Sequence, residues 1–284
     1  MAINSQKLKI GFLIDDERFS HNVYELISMV MREKTKFKPI ILVDKTQENK
    51  NKLKTKSLLS KEKKSLVKSI LYRAISKLET IILNNSDLSR NIKIPNVNSI
   101  GLEKYIINCN ISNSHLYKDY DQNISQIHNL KLDLIIRCGT GIFKGLILNS
   151  TKYGILSSHH GDNRYYRGGP GGFWEVYNNS ADSGFVIQRL NEKLDAGDVL
   201  ARNNFITEKL WFLNKYKLQK ECNKAWIKLL NYIYRHNKLP EKEKETNGVV
   251  KINKFPENIV LFDYFIKKSL CQFIKFFLSN KKNF

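Results

Sequence analysis

Three short apolar runs, Lys9–Ile14 (KIGFLI), Phe37–Val43 and Leu132–Cys138 (LDLIIRC), limit what this chain can fold into more than any other feature. Runs of this length and apolarity have the pattern of buried strands. Between the first two, Ser20 is placed to cap a helix running to about Lys34, with Val23, Leu26, Ile27 and Val30 apolar. Tyr105–Cys109 has the pattern of a further strand, and Leu66–Leu83 returns to helical spacing. Strands that alternate with helices predict an α/β fold with a mostly parallel sheet.

With 284 residues, the chain can bury a sizeable core without disulfide or metal staples. A composition of 42% apolar and 11% aromatic residues excludes a disordered or fibrous chain. The 48 Lys and Arg against 27 Asp and Glu leave a formal charge of +21. Such a surplus points to anionic partners: phosphorylated small molecules, nucleic acid or an anionic membrane face. Cys109, Cys138, Cys222 and Cys271 are scattered, which argues for a reducing compartment and against structural zinc. MAINSQKLKIGFLIDD breaks into charge too soon for a signal peptide, and no stretch of 18 uncharged apolar residues occurs. A cytoplasmic location without a transmembrane helix is therefore expected. Asp15, Asp16 and Glu17 follow the first strand, where their charge would repel the pyrophosphate of a dinucleotide.

Eleven of the fourteen glycines lie between Gly139 and Gly197. That density marks tight loops through which backbone can approach a ligand, so function is expected here. Within it, Gly154–Leu200 holds adjacent histidines His159 and His160, a Gly-Asp-Asn-Arg turn, an Arg-Gly-Gly-Pro-Gly-Gly loop, Trp174, a strand pattern at Phe185–Leu190 and an acidic Leu-Asp-Ala-Gly-Asp loop. Tyr153–Ser158 would deliver His159 at a strand end, where open α/β sheets place ligands. Histidine exchanges protons near neutral pH, and a carboxylate on a second loop can orient it. Two other arrangements are weaker. A serine nucleophile at Ser157 or Ser158 lacks the Gly-x-Ser-x-Gly turn. A metal held by His159, His160 and Asp162 would need adjacent residues to converge on one ion.

These residues resemble the N10-formyltetrahydrofolate-dependent formyltransferases, over about Asp133–Ala201. The family pattern is a strand ending in Asn-x-His, a loop to Arg-Gly, a Trp-bearing helix, a strand, and an Asp-bearing loop. Aligned without gaps, His159 takes the catalytic histidine, Ser157 the catalytic asparagine, and Asp195, 36 residues after His159, the catalytic aspartate. Arg167 and Gly168 take the Arg-Gly, and Trp174 the helix tryptophan; these three are expected to meet the substrate. Asp133–Gly145 matches the strand and loop of the folate pocket, which places Gly141, Ile142 and Phe143, with Leu194, beside the pterin. The chain departs from the family at Ser157 and at Gly161–Arg164, which replaces the usual Ser-Leu-Leu-Pro. A serine hydroxyl is a shorter donor than the asparagine amide, so Asn163, His160 or backbone N–H groups are expected to help hold the oxyanion. Asp195 is expected to hold His159, so the two loops must meet.

The resemblance implies a Rossmann-like formyltransferase core, placed at residues 1–205; the lysine run at 45–64 predicts a mobile insertion in it, and the helical spacing after Phe205 predicts a helical extension at 206–284. In the extension, Glu208–Leu239 is one long helical pattern. Asn258–Ser279 is a second, with Lys268, Gln272, Lys275 and Ser279 on one polar stripe. The activity implied is transfer of a formyl group from N10-formyltetrahydrofolate to an amino-sugar, nucleotide-linked, in surface polysaccharide biosynthesis. Two alternatives stand beside it. A methionyl-tRNA formyltransferase would append a β-barrel in place of helices. A catalytically impaired binding or scaffolding protein at the membrane surface is the other. Nucleic acid is not an expected partner, since basic residues are spread and no RNA-binding aromatic motif occurs. The surplus of phenylalanine on the last helix predicts a second contact, a homodimer in preference to the inner membrane face.

Overall fold

The first apolar run forms β1 (Leu8–Ile14), followed by α1 (His21–Arg32) and β2 (Phe37–Asp44). These and the elements below belong to a computed structural model that describes residues 6–15, 17, 19–46, 62–84, 96–111, 117–191, 197–244 and 250–280. Ser20 caps α1 as expected, its Oγ accepting from the Val23 N–H at 3.4 Å. The helix ends at Arg32, just short of Lys34, because the Glu33 N–H turns back to the Val30 carbonyl. Next come α2 (Glu62–Asn84), β3 (Lys104–Ile107), β4 (Asn110–Ile111), β5 (Tyr117–Asp119), α3 (Ile124–Asn129) and β6 (Leu134–Arg137). The glycine-dense region supplies β7 (Ile142–Lys144), β8 (Ile155–His159), β9 (Arg167–Gly168), α4 (Phe173–Tyr177), β10 (Asp182–Arg189) and β11 (Asp198–Ile206). Most of the 45–64 insertion, residues 47–61, lies outside the described residues.

Seven strands make one sheet in the order β11-β10-β8-β6-β1-β2-β3. Its β8-β6-β1-β2-β3 part is parallel, and β10 runs antiparallel to both β8 and β11. The sheet is therefore mostly parallel, as the apolar runs require. Alternate residues of each strand feed two cores. Ile10, Phe12, Ile136 and Leu156 pack with Leu26 and Ile27 of α1 on one face. Leu13, Leu42, Ile135 and Ile155 pack with Ile127, Phe143 and Tyr120 on the other.

The long helical pattern after Phe205 forms α5 (Trp211–His236). Its Leu218, Cys222, Trp226, Leu230 and Ile233 join the α1 side of the sheet core. The region beyond Phe205 is helical as expected, and between its helices β12 (Ile252–Asn253) pairs in parallel with β9. Two-residue strands carry no periodicity, so this pairing left no trace in the sequence. The chain closes on α6 (Asn258–Tyr264), a π-helical segment Phe265–Leu270, and α7 (Cys271–Asn280). No helix among the described residues is long and apolar enough to cross a membrane.

One buried carboxyl joins the outer helices. Glu79 of α2 is fully buried and accepts from the Phe212 N–H at 2.8 Å and the Tyr264 hydroxyl at 2.9 Å, with Ser269 as a third partner. Tyr264 also accepts from the Trp211 N–H at 2.6 Å. Burial raises the Glu79 carboxyl above its ordinary pKa, against the pull of these hydrogen bonds.

Candidate functional site at the ends of strands six and eight

β8 runs beside β6, with Ser157 opposite Arg137, so the ends of both strands open on the same edge of the sheet. The alternation of β8 sends its serines to opposite faces. Ser158 lies on the α5 side, in contact with Cys222, whereas Ser157 is buried at 4% exposure. His159 ends the strand, its Nε2 3.2 Å from the Tyr166 carbonyl oxygen. A carbonyl only accepts, so Nε2 is the donor in this contact.

A cavity of about 260 Å³ opens where β6 and β8 end, walled by the start of α1 and by α5. Ser20, Asn22, Cys138, Gly139, Ser158, His160 and Asn223 are among its lining residues. Three buried atoms of that lining have no hydrogen-bond partner among the described residues: Asn22 Oδ1, Asn223 Oδ1 and His160 Nε2. Burial, then the neighbouring His159 and Lys215, brings the His160 pKa down to about 4, so its ring is neutral at pH 7. The Asn223 amide nitrogen donates to the Asn22 carbonyl at 3.0 Å, which joins α5 to α1 across the cavity wall. Buried acceptors without partners are unfavourable unless a donor reaches them. These unpartnered atoms suit a ligand that donates hydrogen bonds, and Arg137 also lines the cavity. Sequence reasoning missed Asn22 and Asn223, because no motif marks two amides on helices far apart in the chain.

The turn after the histidines is held by ions. Asp162 is buried and is bound by Arg164, through Nε at 3.0 Å and Nη2 at 2.6 Å, by Arg202, and by Asn204. Burial raises the Asp162 carboxyl, yet the hydrogen bonds and charges of Arg164 and Arg202 hold it below the usual range. With its carboxylate bound by two arginines, Asp162 is a brace for the loop. Asn163 sits half-buried beside it. Arg167 and Gly168 form β9, tied to β12, and the Trp174 indole donates to the carbonyls of Gly169 and Lys254 at 3.2 Å each. The Arg-Gly and Trp positions thus lean on the C-terminal segment, a partner that the sequence did not disclose.

On the other side of β6, Gly141 takes φ +93°, a conformation that favours glycine. Ile142 is half-buried, and Phe143 is buried against Tyr120, with ring centroids 5.4 Å apart. Leu194 and Asp195 lie outside the described residues. The strands on either side of them pair Arg189 with Leu156 and with Asp198. The described ends of that loop therefore flank the start of β8, three residues from His159, or roughly 10 Å at the usual strand rise.

Glu175 of α4 is buried at 2% exposure, and its Oε1 has no partner among the described residues. Burial, and then the charge of Asp162, pushes its pKa up to about 7 from 4.5. Below about pH 4.5 the group is protonated whether the chain is folded or not, and the shift costs nothing. As pH rises from there through about 7, the unfolded chain releases its proton first, so stability falls; above that the full penalty stands. Glu175→Gln should therefore stabilise the fold at about pH 8, on the order of 2 kcal/mol, and do far less at about pH 5. Thermal melts at both pH values check this, and an equal gain at both would show that ionisation is not involved.

No protein-family model and no curated protein sequence matches the chain. Among solved structures, it is similar to a sugar N-formyltransferase from a Shewanella species, at 14% identity over 86% of this chain and 76% of that one, with a TM-score of 0.48. A 4-N formyltransferase from Francisella tularensis matches at 15% identity over 87% and 76%, with a TM-score of 0.46. Glycinamide ribonucleotide transformylase 1 from Symbiobacterium toebii matches at 12% identity over 80% and 88%, with a TM-score of 0.48.

Proposed function

We propose that this chain is an N-formyltransferase that moves a formyl group from N10-formyltetrahydrofolate to the amine of an amino-sugar, nucleotide-linked, in surface polysaccharide biosynthesis. The observation that carries the reading is the hydrogen-bonding cavity at the ends of β6 and β8, lined by Ser157, His160 and Arg137 and by Gly139, where the next loop begins. Hydroxyls and an amine supply the donors that its unpartnered oxygens lack. In the reaction, the amine nitrogen bonds to the formyl carbon, the carbon–N10 bond breaks, the amine gives up a proton and N10 takes one. His159 receives the amine proton and passes one on toward N10. Ser157 and Asn163 donate to the developing oxyanion. Asp195 orients His159, which requires its loop to reach along β8 from the Leu156 end. Gly141, Ile142, Phe143 and Leu194 border the donor; Arg167, Gly168 and Trp174 border the acceptor, whose diphosphate suits the basic chain.

The test is incubation of the purified chain with formyl-folate and a panel of amino-sugar nucleotides, read by mass. Gain of one formyl group on an acceptor is the expected result. No gain with any amine, from a folded protein that also fails to bind a reduced folate, would overturn the reading.

The last helix is proposed to meet a second copy of the chain. Ile259, Phe262, Ile266, Ile274, Phe277 and Leu278 are exposed along it. Two lysines that could serve an anionic lipid are engaged within the chain, Lys267 with Asp263 at 2.6 Å and Lys268 with Asn179. Sizing in solution should give twice the chain mass, reduced to the monomer by Phe262→Glu with Phe277→Glu. Liposome flotation by a monomer would show the membrane instead.

A further inference from the structure

The loop after β6 rests on a buried charge cluster that the proposed chemistry leaves unused. Lys118 of β5 is 2% exposed, and its ammonium lies 2.6 Å from Asp15 Oδ1 and 3.0 Å from Asp44 Oδ2. Asp44 is wholly buried at the end of β2 and also accepts from the Thr46 N–H at 3.0 Å and the Tyr120 hydroxyl at 2.7 Å. Asp15, at the end of β1, turns its other oxygen to the loop and accepts from the Thr140 N–H at 2.6 Å and the Thr140 hydroxyl at 2.7 Å. A chain of charge-assisted hydrogen bonds thus runs from the end of β2 to the backbone of the loop. The backbone lies directly on these side chains. A Cβ on Gly139 would sit 2.2 Å from Asp15 Oδ1, and one on Gly141 3.1 Å from Lys118 Cδ.

Burying an ammonium is unfavourable unless it is fully paired, and an apolar side chain of similar volume would fill the same space. What the charge adds is a fixed geometry: Lys118 sets where Asp15 stands, and Asp15 sets where Thr140 stands. We propose that Lys118 is a positioning residue for the formyl-donor site. Through Asp15 it holds Thr140–Ile142 in the shape that receives the pterin, and so governs affinity for the donor more than for the acceptor. This rests on the assignment of that loop to the donor.

The groups facing Lys118 are Asp15 and Asp44 at the strand ends, Cys109 and Tyr120 beside Asp44, and, across the loop, Arg137, whose Nε donates to the Gly139 carbonyl at 3.2 Å. Despite the cost of burial, the paired charges keep Lys118 above and Asp44 below their ordinary values; burial raises Cys109 and Tyr120. None of these four changes charge between about pH 6 and 8, so they lend wild-type donor binding no pH dependence there. Lys118→Met leaves Asp44 buried without its cation, which raises its carboxyl; protonation at lower pH then relieves the unpaired charge.

The test is the dissociation constant for 5-formyltetrahydrofolate, a stable formyl-folate, by calorimetry at about pH 6 and pH 8, beside the Michaelis constant for the acceptor. Lys118→Met should weaken probe binding by about 10- to 100-fold at the higher pH, the range set by misplacing a ligand-bearing group by ~1 Å. The acceptor constant should change far less. Wild-type affinity in the folded variant, or an equal loss toward both substrates, would overturn the proposal. If Lys118→Met does not fold, Asp15→Asn and Thr140→Val carry the same test from the outer end of the chain of bonds. If the wild-type chain does not bind the probe, the donor assignment fails on its own. Amide exchange in Asp15→Asn then decides the lock: faster exchange at Gly139–Phe143 supports it, and unchanged protection overturns it.

Discussion

Replacing His159 with alanine is expected to lower turnover by about 10²–10⁴ while leaving the melting temperature intact, the effect of losing a positioned acid–base group. The ring stands at the open end of β8, with its Nε2 3.2 Å from the Tyr166 carbonyl oxygen. Its neighbour is built for another task. His160 is neutral, with a pKa near 4, and its ring lines the cavity with a nitrogen that has no partner among the described residues. His160→Ala should therefore raise the acceptor's Michaelis constant more than it lowers turnover, because it removes a binding contact made equally in the ground and transition states. Steady-state kinetics of both variants separate the two roles. If the loss of turnover fell on His160→Ala instead, the histidine register would be off by one and the cavity ring would be the working group.

Glu79→Ala should destabilise the fold by roughly 3–5 kcal/mol. It strands the Phe212 N–H and the Tyr264 and Ser269 hydroxyls in the interior between α2, α5 and the last helix. Glu79→Gln keeps an acceptor for two of the three donors and should lose much less. The raised carboxyl adds a pH signature. Between about 4.5 and its folded value, the folded chain holds the proton that the unfolded chain has released, so stability drops as pH rises through that window. Urea denaturation of the three proteins at two pH values measures this. A loss under about 1 kcal/mol for Glu79→Ala would mean that water replaces the carboxyl and that the helices do not depend on it.

The apolar runs at β1, β2 and β6, the Ser20 cap and the helical spacing of α5 were legible in the chain, because each is a local pattern that burial on one or two faces imposes. The placement of His159 at a strand end was legible for the same reason, since Ile155 and Leu156 announce the strand that carries it. Local patterns carry no record of distant partners. Lys118 reads as one more lysine in a chain of charge +21, and only the closing of β1 and β2 against β5 puts it between carboxylates 103 and 74 residues away. The pairing of β9 with β12 and the meeting of Asn22 with Asn223 are of the same kind. Which polar groups are buried together depends on which elements pack, and packing is settled by the apolar surface of the whole chain. The sequence by itself determined a mostly parallel α/β sheet and a glycine-dense region between Gly139 and Gly197; the tertiary structure alone decided which side chains line the cavity and which charges hold its loop, because a buried polar group is specified by its partner and not by its neighbours in the chain.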